Sequence, residues 1–436
     1  MILALNTVTV ISAIVVGLFV ILILVSLLLW AKAKLTVSGP VTLTINGEKE
    51  VEVQAGNTLL TTLGDEKIFL PSACGGGGTC AMCKCQVKSG GGEILPTEKP
   101  YFSRKEIQND WRLGCQVKVK QDMDIQIPEE IFGIKKWECE VVSNYNVATF
   151  IKEFVVKLPE GENLDFEAGG YIQIDVPPVT VDFKDMDIAP KPEDPEGKDK
   201  YKKDWDSFGL WDLTMKNPEP IFRAYSMANH PAEGNIIMLN IRIATPPWDR
   251  DKNSWMNVNP GICSSYVFTR KPGDKVTISG PYGEFFIKET DKEMVYIGGG
   301  AGMAPLRAHI FHLFKTLKTN RKVSYWYGGR SKRELFYIDQ FREIEKEFPN
   351  FHFHVVLSEP TEEDKWKEKK SLDDEGDGFL GFVHQAFIDH YLKKHEEPEE
   401  IEFYFCGPPL MNAAVLKMCD EWGIPEEHIS FDDFGG

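Results

Sequence analysis

The sequence predicts a multidomain chain: an N-terminal transmembrane helix, a small β-rich domain around a cysteine loop, an antiparallel β-barrel, and a closing α/β domain with a parallel sheet. Three observations predict it. Met1 to Ala31 carries no charged side chain, and Val8 to Trp30 is almost continuously apolar. Cys74, Cys80 and Cys83 crowd one glycine-rich loop, with Cys115 following in Trp111-Arg-Leu-Gly-Cys-Gln. The hydrophobic pattern then changes from short alternating strands after Trp137 to strand and helix in turn after Met294. A length of 436 residues fits about two to four domains.

Residues 1–31 come first. Their apolar run is about as long as a bilayer-crossing helix needs. A secretory signal would show a basic first segment, a shorter apolar stretch and a small-residue cleavage site, so the run reads as an anchor. Lys32 and Lys34 follow at once, with Trp30 at the expected interface. The positive-inside rule then puts the rest of the chain in the cytoplasm, at the inner membrane. Nine cysteines, mostly scattered singly, argue against a disulfide scaffold and for a reducing compartment. A formal net charge of −17 argues against a nucleic-acid partner.

Residues 36–128 form the next domain. Leu35 to Val53 alternates as a hairpin about Asn46-Gly47, and a short helix starts at Asn57 with that residue as its cap. Strands over Cys85 to Lys88, Val117 to Lys120 and Ile125 to Ile127 complete a β-grasp arrangement. Three thiolates on a tight glycine loop and a fourth from a distant strand suit a [2Fe-2S] cluster. Each iron takes two sulfurs, and backbone amides must come close to the sulfides. Zinc more often shows separated CxxC pairs or interleaved histidines, and no histidine lies near. The expected iron ligands are therefore Cys74, Cys80, Cys83 and Cys115. Cys85 reads as a packed thiol, with ligand swapping as the lesser alternative.

Residues 135–289 read as an antiparallel barrel, with strands over Phe150 to Leu158, Tyr171 to Val176 and Ile236 to Ile243. Residues 182–219 interrupt it as an insertion without regular period. Trp205, Phe208, Leu210 and Trp211 leave two readings open there, a partner-docking surface and a solvated loop. Residues 290–436 alternate strands at Met294, Val323, Phe351 and Glu402 with helices over Met303 to Leu317 and about Asp339 to Glu347. That order predicts a parallel sheet.

Gly298-Gly-Gly-Ala-Gly-Met-Ala-Pro stands where a strand hands over to a helix, so Gly300, Gly302 and Pro305 are placed to let backbone approach a pyrophosphate. No acidic residue follows at the spacing that usually binds the adenosine ribose; Ser324-Tyr-Trp-Tyr-Gly-Gly-Arg stands there instead. Arg223-Ala-Tyr-Ser offers a guanidinium for pyrophosphate, a ring to lie on a flavin and a hydroxyl for flavin N5. Gly261-Ile-Cys-Ser-Ser offers amides at a helix start. Taken singly, Tyr225 reads equally as a core aromatic and Ser264 as a helix cap. The order of barrel and nucleotide sheet is what favours a flavin.

With these motifs, residues 137–436 resemble the ferredoxin-NADP reductase superfamily and residues 36–128 resemble [2Fe-2S] ferredoxins. With the anchor, Phe222-Arg-Ala-Tyr-Ser-Met-Ala-Asn and the terminal Phe431-Asp-Asp-Phe-Gly-Gly, the whole chain resembles the F subunits of the sodium-translocating NADH:quinone oxidoreductases. The resemblance implies FAD on Arg223, Tyr225, Ser226 and Ser264, a dinucleotide on Gly300 to Pro305 and Cys406-Gly407, and Phe434 over the flavin. It implies NADH as substrate and the other subunits of a membrane quinone reductase as partners. Five residues separate Cys74 from Cys80 where the plant-type pattern has four, which bears on cluster potential.

Electron counting gives the mechanism. Nicotinamide gives up two electrons as hydride and the cluster takes one at a time, so a flavin must stand between them. The residues expected at the reacting atoms are Ser226, Tyr225, Cys406 and Phe434, with Cys406 open between a nicotinamide contact and a buried apolar thiol. Arg330, Lys332 and Arg333 could meet a 2′-phosphate or be ordinary surface charges, and the resemblance favours NADH over NADPH. The competing function is a reductase component that feeds an oxygenase; the anchor favours the membrane complex. One helix without an ionisable residue makes no sodium pathway by itself.

Overall fold

The computed structural model describes residues 7–35 and 39–433. Helix Thr7–Leu35 is 29 residues long, or about 44 Å at 1.5 Å per residue. None of its Ile11–Leu28 stretch is buried, and it is long and apolar enough to cross a membrane. Leucine, isoleucine and valine point outward on every side, which suits lipid and not a half-wetted protein surface.

The chain divides into two compact units, Met1–Leu70 with Gly76–Gly133, and Pro71–Gly75 with Ile134–Gly436. In the first, five strands run in the order Lys49–Gln54, Pro40–Ile45, Met123–Gln126, Lys84–Ser89 and Trp111–Leu113. The hairpin turns at Asn46 and Gly47, both at positive φ (54° and 72°), as an Asn-Gly turn requires. It begins at Pro40, because Leu35 still belongs to the apolar helix. The short helix Leu59–Asp65 is capped by Thr58, not by Asn57: the Thr58 hydroxyl accepts from Thr61 N at 3.2 Å. Asn57 instead gives its carbonyl to Val119 N at 3.0 Å. That pairing explains a second correction. Val117 to Lys120 forms no regular strand, only a bridge between Lys118 and Thr58, since its bonds go to the segment entering the helix. Leu43, Leu59, Leu63, Cys85, Leu113 and Ile125 are fully buried in this unit.

Among the described residues, the second unit contains two six-stranded sheets and two two-stranded ribbons. The antiparallel one runs Ile221–Ser226, Tyr171–Val176, Lys275–Tyr282, Lys135–Ala148, Ile151–Lys157, Ile236–Arg242. A bridge from Met227 to Leu239 closes its two edges into a barrel. The apolar residues of the insertion divide: Phe208 is exposed and Trp211 half-buried, whereas two others point inward. Trp205 and Leu210 are fully buried and belong to the barrel core with Phe154, Ile172 and Phe268. The Trp205 indole donates to Thr149 O at 2.8 Å. A ribbon of Val179–Asp182 against Thr214–Asn217 frames the insertion, and Trp205 and Leu210 enlarge the core while Phe208 stays exposed.

The parallel sheet runs Phe379–Leu380, Phe351–Leu357, Val323–Gly329, Met294–Gly299, Glu402–Cys406, Ile429–Asp432. The chain moves outward from Met294–Gly299 on one side and returns to pair on its other side with Glu402–Cys406. Order therefore reverses between those two strands, and the crevice at their carboxyl ends is where such sheets bind ligands. The helix after the glycine loop is α-helical over Met303–Phe311 only; His312–Thr316 widens to a π turn before Leu317.

Candidate functional site

In the first unit the cysteine loop is made by left-handed backbone. Gly76 and Gly78 take φ of 89° and 76°, and Ala81 takes 56°. Such turns aim successive amides into a concavity that favours negative charge. Cys83 and Cys115 are buried, and Cys115 N lies 3.5 Å from Cys83 Sγ. The Cys83 thiol is pushed up, first by its hydrogen bond with Cys115 and then by burial. Two buried thiols held against each other suit sulfur ligands of a bound metal better than free groups. Cys80 is half-buried in the same loop, and Cys74 lies in the Pro71–Gly75 segment of the second unit, with Ser72 Oγ 4.0 Å from its Sγ. Among the described residues, no three His, Cys, Asp or Glu side chains are grouped as a single-ion site needs. A two-iron cluster asks for two cysteines at each iron. Cys85 is fully buried, paired in register with Arg112, and burial pushes its thiol up to about 12; it is a packed thiol.

In the barrel, Arg223 and Tyr225 alternate onto one face of their strand and Ser226 onto the other. Arg223 Nη1 donates to Phe222 O at 2.8 Å. Tyr225 packs against the barrel core and its hydroxyl meets Cys263. Burial pushes the Cys263 thiol up to about 12, with Tyr225 and the Arg223 charge acting the other way. Cys263 thus ties the strand to helix Ile262–Phe268, and Arg223 lies close enough to be felt there. Gly261 precedes that helix because a Cβ would stand 2.5 Å from Ala244 Cβ. The Ser264 hydroxyl is engaged internally, donating to Gly261 O at 3.2 Å and accepting from Ala244 N at 3.1 Å. What this turn offers an anion is its backbone N–H groups.

In the parallel sheet, register sets Gly298 beside Cys406 and Cys406 beside Asp432 at the carboxyl ends of three adjacent strands. The glycine loop folds over this row. Gly300 takes φ of 57°, and a Cβ on Gly302 would stand 2.1 Å from Cys406 O. A Cβ on Gly407 would stand 2.4 Å from Met411 Cε, and Pro305 is buried in the first turn of its helix. Ser226 reaches the same row: its hydroxyl donates to Asp432 Oδ2 at 2.7 Å. Burial raises the Asp432 carboxyl, the hydrogen bonds from Ser226 and from the Asp433 backbone oppose the rise, and the Asp433 charge adds a smaller push upward. Cys406 is fully buried, and burial, then Asp432 and Asp433, push its thiol well up. Arg307 locks the two sheets together beside the row, giving Nη1 to Ala228 O at 2.7 Å and its Nη2 to Glu233 Oε1 at 2.7 Å.

Comparison with known proteins agrees with these arrangements. Residues 43–120 match the model of the 2Fe-2S iron-sulfur cluster binding domain, 211–287 the oxidoreductase FAD-binding domain and 296–417 the oxidoreductase NAD-binding domain. The F subunit of the Na(+)-translocating NADH-quinone reductase of Neisseria meningitidis serogroup C is 54% identical over 417 residues, 96% of this chain and 97% of that one. Its counterpart from Pseudomonas aeruginosa is 52% identical over 423 residues, 97% of this chain and 98% of its own. The chain belongs to the family of F subunits of the Na(+)-translocating NADH-quinone reductases.

Solved structures similar to this member of the family include the cytochrome P450 reductase GcoB of Amycolatopsis, with TM-score 0.58 and 22% identity over 90% of this chain and 98% of that one. A ferredoxin reductase of carbazole 1,9a-dioxygenase gives 0.56 and 23% over 91% and 99%. These share the fold. The cofactor set is a [2Fe-2S] cluster, FAD and NADH, and the residues fit it: a thiol set without histidine, a barrel strand with a cation and a ring, and a glycine cradle that a Cβ would fill.

The structure brings Ser226, Cys406, Gly302 and Gly407 together, and Arg223, Tyr225, Gly261 and Ser264 in a second group. Phe434 lies outside the described residues. Arg333 is not an unclaimed cation: its Nη1 meets Asp204 Oδ2 at 3.1 Å, with Glu196 and Glu363 beside it. Asp432 was missed. The terminal Phe431-Asp-Asp run was the signal, but nothing in the sequence pairs it with Ser226.

Proposed function

We propose that this chain is the NADH-oxidising, electron-input subunit of a sodium-translocating NADH:quinone reductase, and that residues 36–128 hold the cluster, 135–289 the FAD and 290–436 the NADH. One observation carries the reading at the site: Ser226 of the barrel bonds Asp432 at the end of a nucleotide-sheet strand, next to Cys406. A flavin edge and a nicotinamide would have to meet there.

FAD, when bound, takes the two electrons of a hydride and passes them on singly. The protein supplies position. Arg223 and the amides from Gly261 to Ser264 are assigned to the pyrophosphate, the Tyr225 ring to the flavin face, and Ser226 to flavin N5. Gly300, Gly302, Pro305 and Gly407 are assigned to the dinucleotide. Cys406 presents its thiol at the nicotinamide as a shape-filling, protonated group, since burial holds it neutral. Phe434 is assigned to covering the ring. Cys74, Cys80, Cys83 and Cys115 are assigned to iron. Gly298 and Cys406 are buried, and that closed side of the row limits loss of electrons to oxygen.

The apolar helix anchors the chain in the inner membrane with its remaining domains in the cytoplasm, where the other subunits accept the electrons. The oxygenase-reductase reading has less support, because it has no use for helix Thr7–Leu35 and its structural likeness is one of fold alone. The deciding experiment is NADH-driven quinone reduction by the gently extracted complex, with and without sodium ions. Sodium-stimulated turnover copurifying with this chain is expected; sodium-independent delivery to another acceptor would sink the assignment.

A further inference from the structure

We propose that Gln116 sets the reduction potential of the iron-sulfur cluster through an N–H···S hydrogen bond to Cys115, and that Thr97 fixes the orientation of its amide. The inference rests on Cys115 being an iron ligand. Gln116 Nε2 stands 3.8 Å from Cys115 Sγ, within reach for a donor to sulfur. An amide can present either end, and only the NH2 end can donate to a thiolate. The negative sulfur selects the NH2 end, and Thr97 anchors the amide in that orientation: its hydroxyl donates to Gln116 Oε1 at 3.3 Å.

Space for this arrangement is reserved in the cysteine loop. Gly78, at φ +76°, has Gln116 Nε2 2.5 Å and Gln116 Cδ 3.2 Å from where a Cβ would stand. A larger residue there would displace the amide. The backbone holds the residue from the other side, with Gln116 N donating to Leu113 O at 2.8 Å and Cys115 N lying 3.5 Å from Cys83 Sγ. Cys115 is buried and Gln116 half-buried, so the bond is partly shielded from water.

The direction of the effect follows from charge. Reduction adds an electron that is shared onto the ligand sulfurs, and a donor aimed at a sulfur stabilises the more negative state. Hydrogen bonds to sulfur are one of the main determinants of cluster potential. Gln116 therefore raises the potential and makes the cluster a better acceptor. Gln116→Leu removes the donor. Gln116→Glu keeps the shape and replaces the donor with a negative acceptor. Thr97→Val leaves both residues next to the cluster intact and frees the amide to turn.

The test is an EPR-monitored redox titration of the full-length chain, purified in detergent with its cluster. Midpoint potentials should move negative in the order Thr97→Val, Gln116→Leu, Gln116→Glu, with the cluster signal retained. Wild-type potentials in all three overturn the proposal while leaving the cluster assignment standing. Absence of a [2Fe-2S] signal and of bound iron from the wild-type chain overturns the reading it rests on. Thr97→Val decides the matter should a Gln116 variant fail to assemble.

Discussion

Ser226 and Asp432 share one hydrogen bond between two sheets, and it holds the serine hydroxyl where the barrel meets the nucleotide row. Ser226→Ala should slow flavin reduction by NADH on the order of 10²-fold, the usual cost of losing a positioned group at a hydride-transfer site. Stopped-flow bleaching of the flavin measures it. Asp432 adds a pH effect. Burial raises its carboxyl above 3.8, so folding favours the protonated form. Its contribution to stability is complete below 3.8 and is lost as pH rises through the higher folded value. Asp432→Asn should therefore raise the melting temperature at pH 7 and leave it nearly unchanged near pH 4; equal effects at both would show that the carboxyl is not strained by burial. The serine drew notice in the sequence because Arg-Ala-Tyr-Ser offers a cation, a ring and a hydroxyl within four residues. Asp432 was not, because its partner is 206 positions away and no local pattern encodes that meeting. The partners of the Ser264 hydroxyl, Gly261 O and Ala244 N, leave no local mark in the sequence.

Among the elements, the insertion is where composition and structure part most. Its Asp, Lys and Pro residues read as loop, yet Trp205 is fully buried, bonded to Thr149 O and in ring contact with Trp211 at 5.0 Å and Phe268 at 6.1 Å. Trp205→Ala should cost about 3 to 5 kcal/mol, as deletion of a large buried ring does. Thermal or denaturant unfolding of the second unit checks it, and a loss below about 1 kcal/mol would mean that the insertion is dispensable to the core. Some strands were legible almost to the residue, because alternation marks Tyr171–Val176 and an unbroken apolar run marks Met294–Gly299, whereas Lys275–Tyr282 and Ile429–Asp432 were not read. The exceptions have physical causes. Val117 to Lys120 alternates as a strand does, but its bonds serve the helix entry at Asn57 to Leu59. Thr58 caps where Asn57 is the better cap by type, because the Asn57 carbonyl already pairs with Val119 N. The π turn after Phe311 leaves no trace in periodicity over five residues.

For the whole molecule, the architecture was legible because each part carries a different period: an unbroken apolar run, a thiol loop among short strands, alternation, and then strands with helices between. The assignment of Pro71–Gly75 to the second compact unit was not, since contact at such range leaves no mark on five residues. Nothing in Ile11–Leu28 is buried, whereas Leu43, Leu59 and Ile125 in one unit and Ile172, Ile278, Tyr296 and Tyr404 in the other are closed off without it. Folding of the two cores should therefore not depend on the helix, and a formal charge of −17 on the chain favours solubility of the remainder. A chain starting at Gly39 should be water-soluble, bind FAD and iron, and oxidise NADH with a soluble acceptor such as ferricyanide within about twofold of the full chain, since the site is built from barrel and sheet and catalytic rates depend on local geometry. On the proposed membrane placement, the same chain should lose delivery to membrane quinone, because it would lose the high effective concentration that confinement provides. Acceptor reduction and quinone reduction measured side by side on one preparation separate the two. Loss of both would mean that the helix shapes the catalytic units, and retention of both would mean that docking to the membrane subunits does not need it.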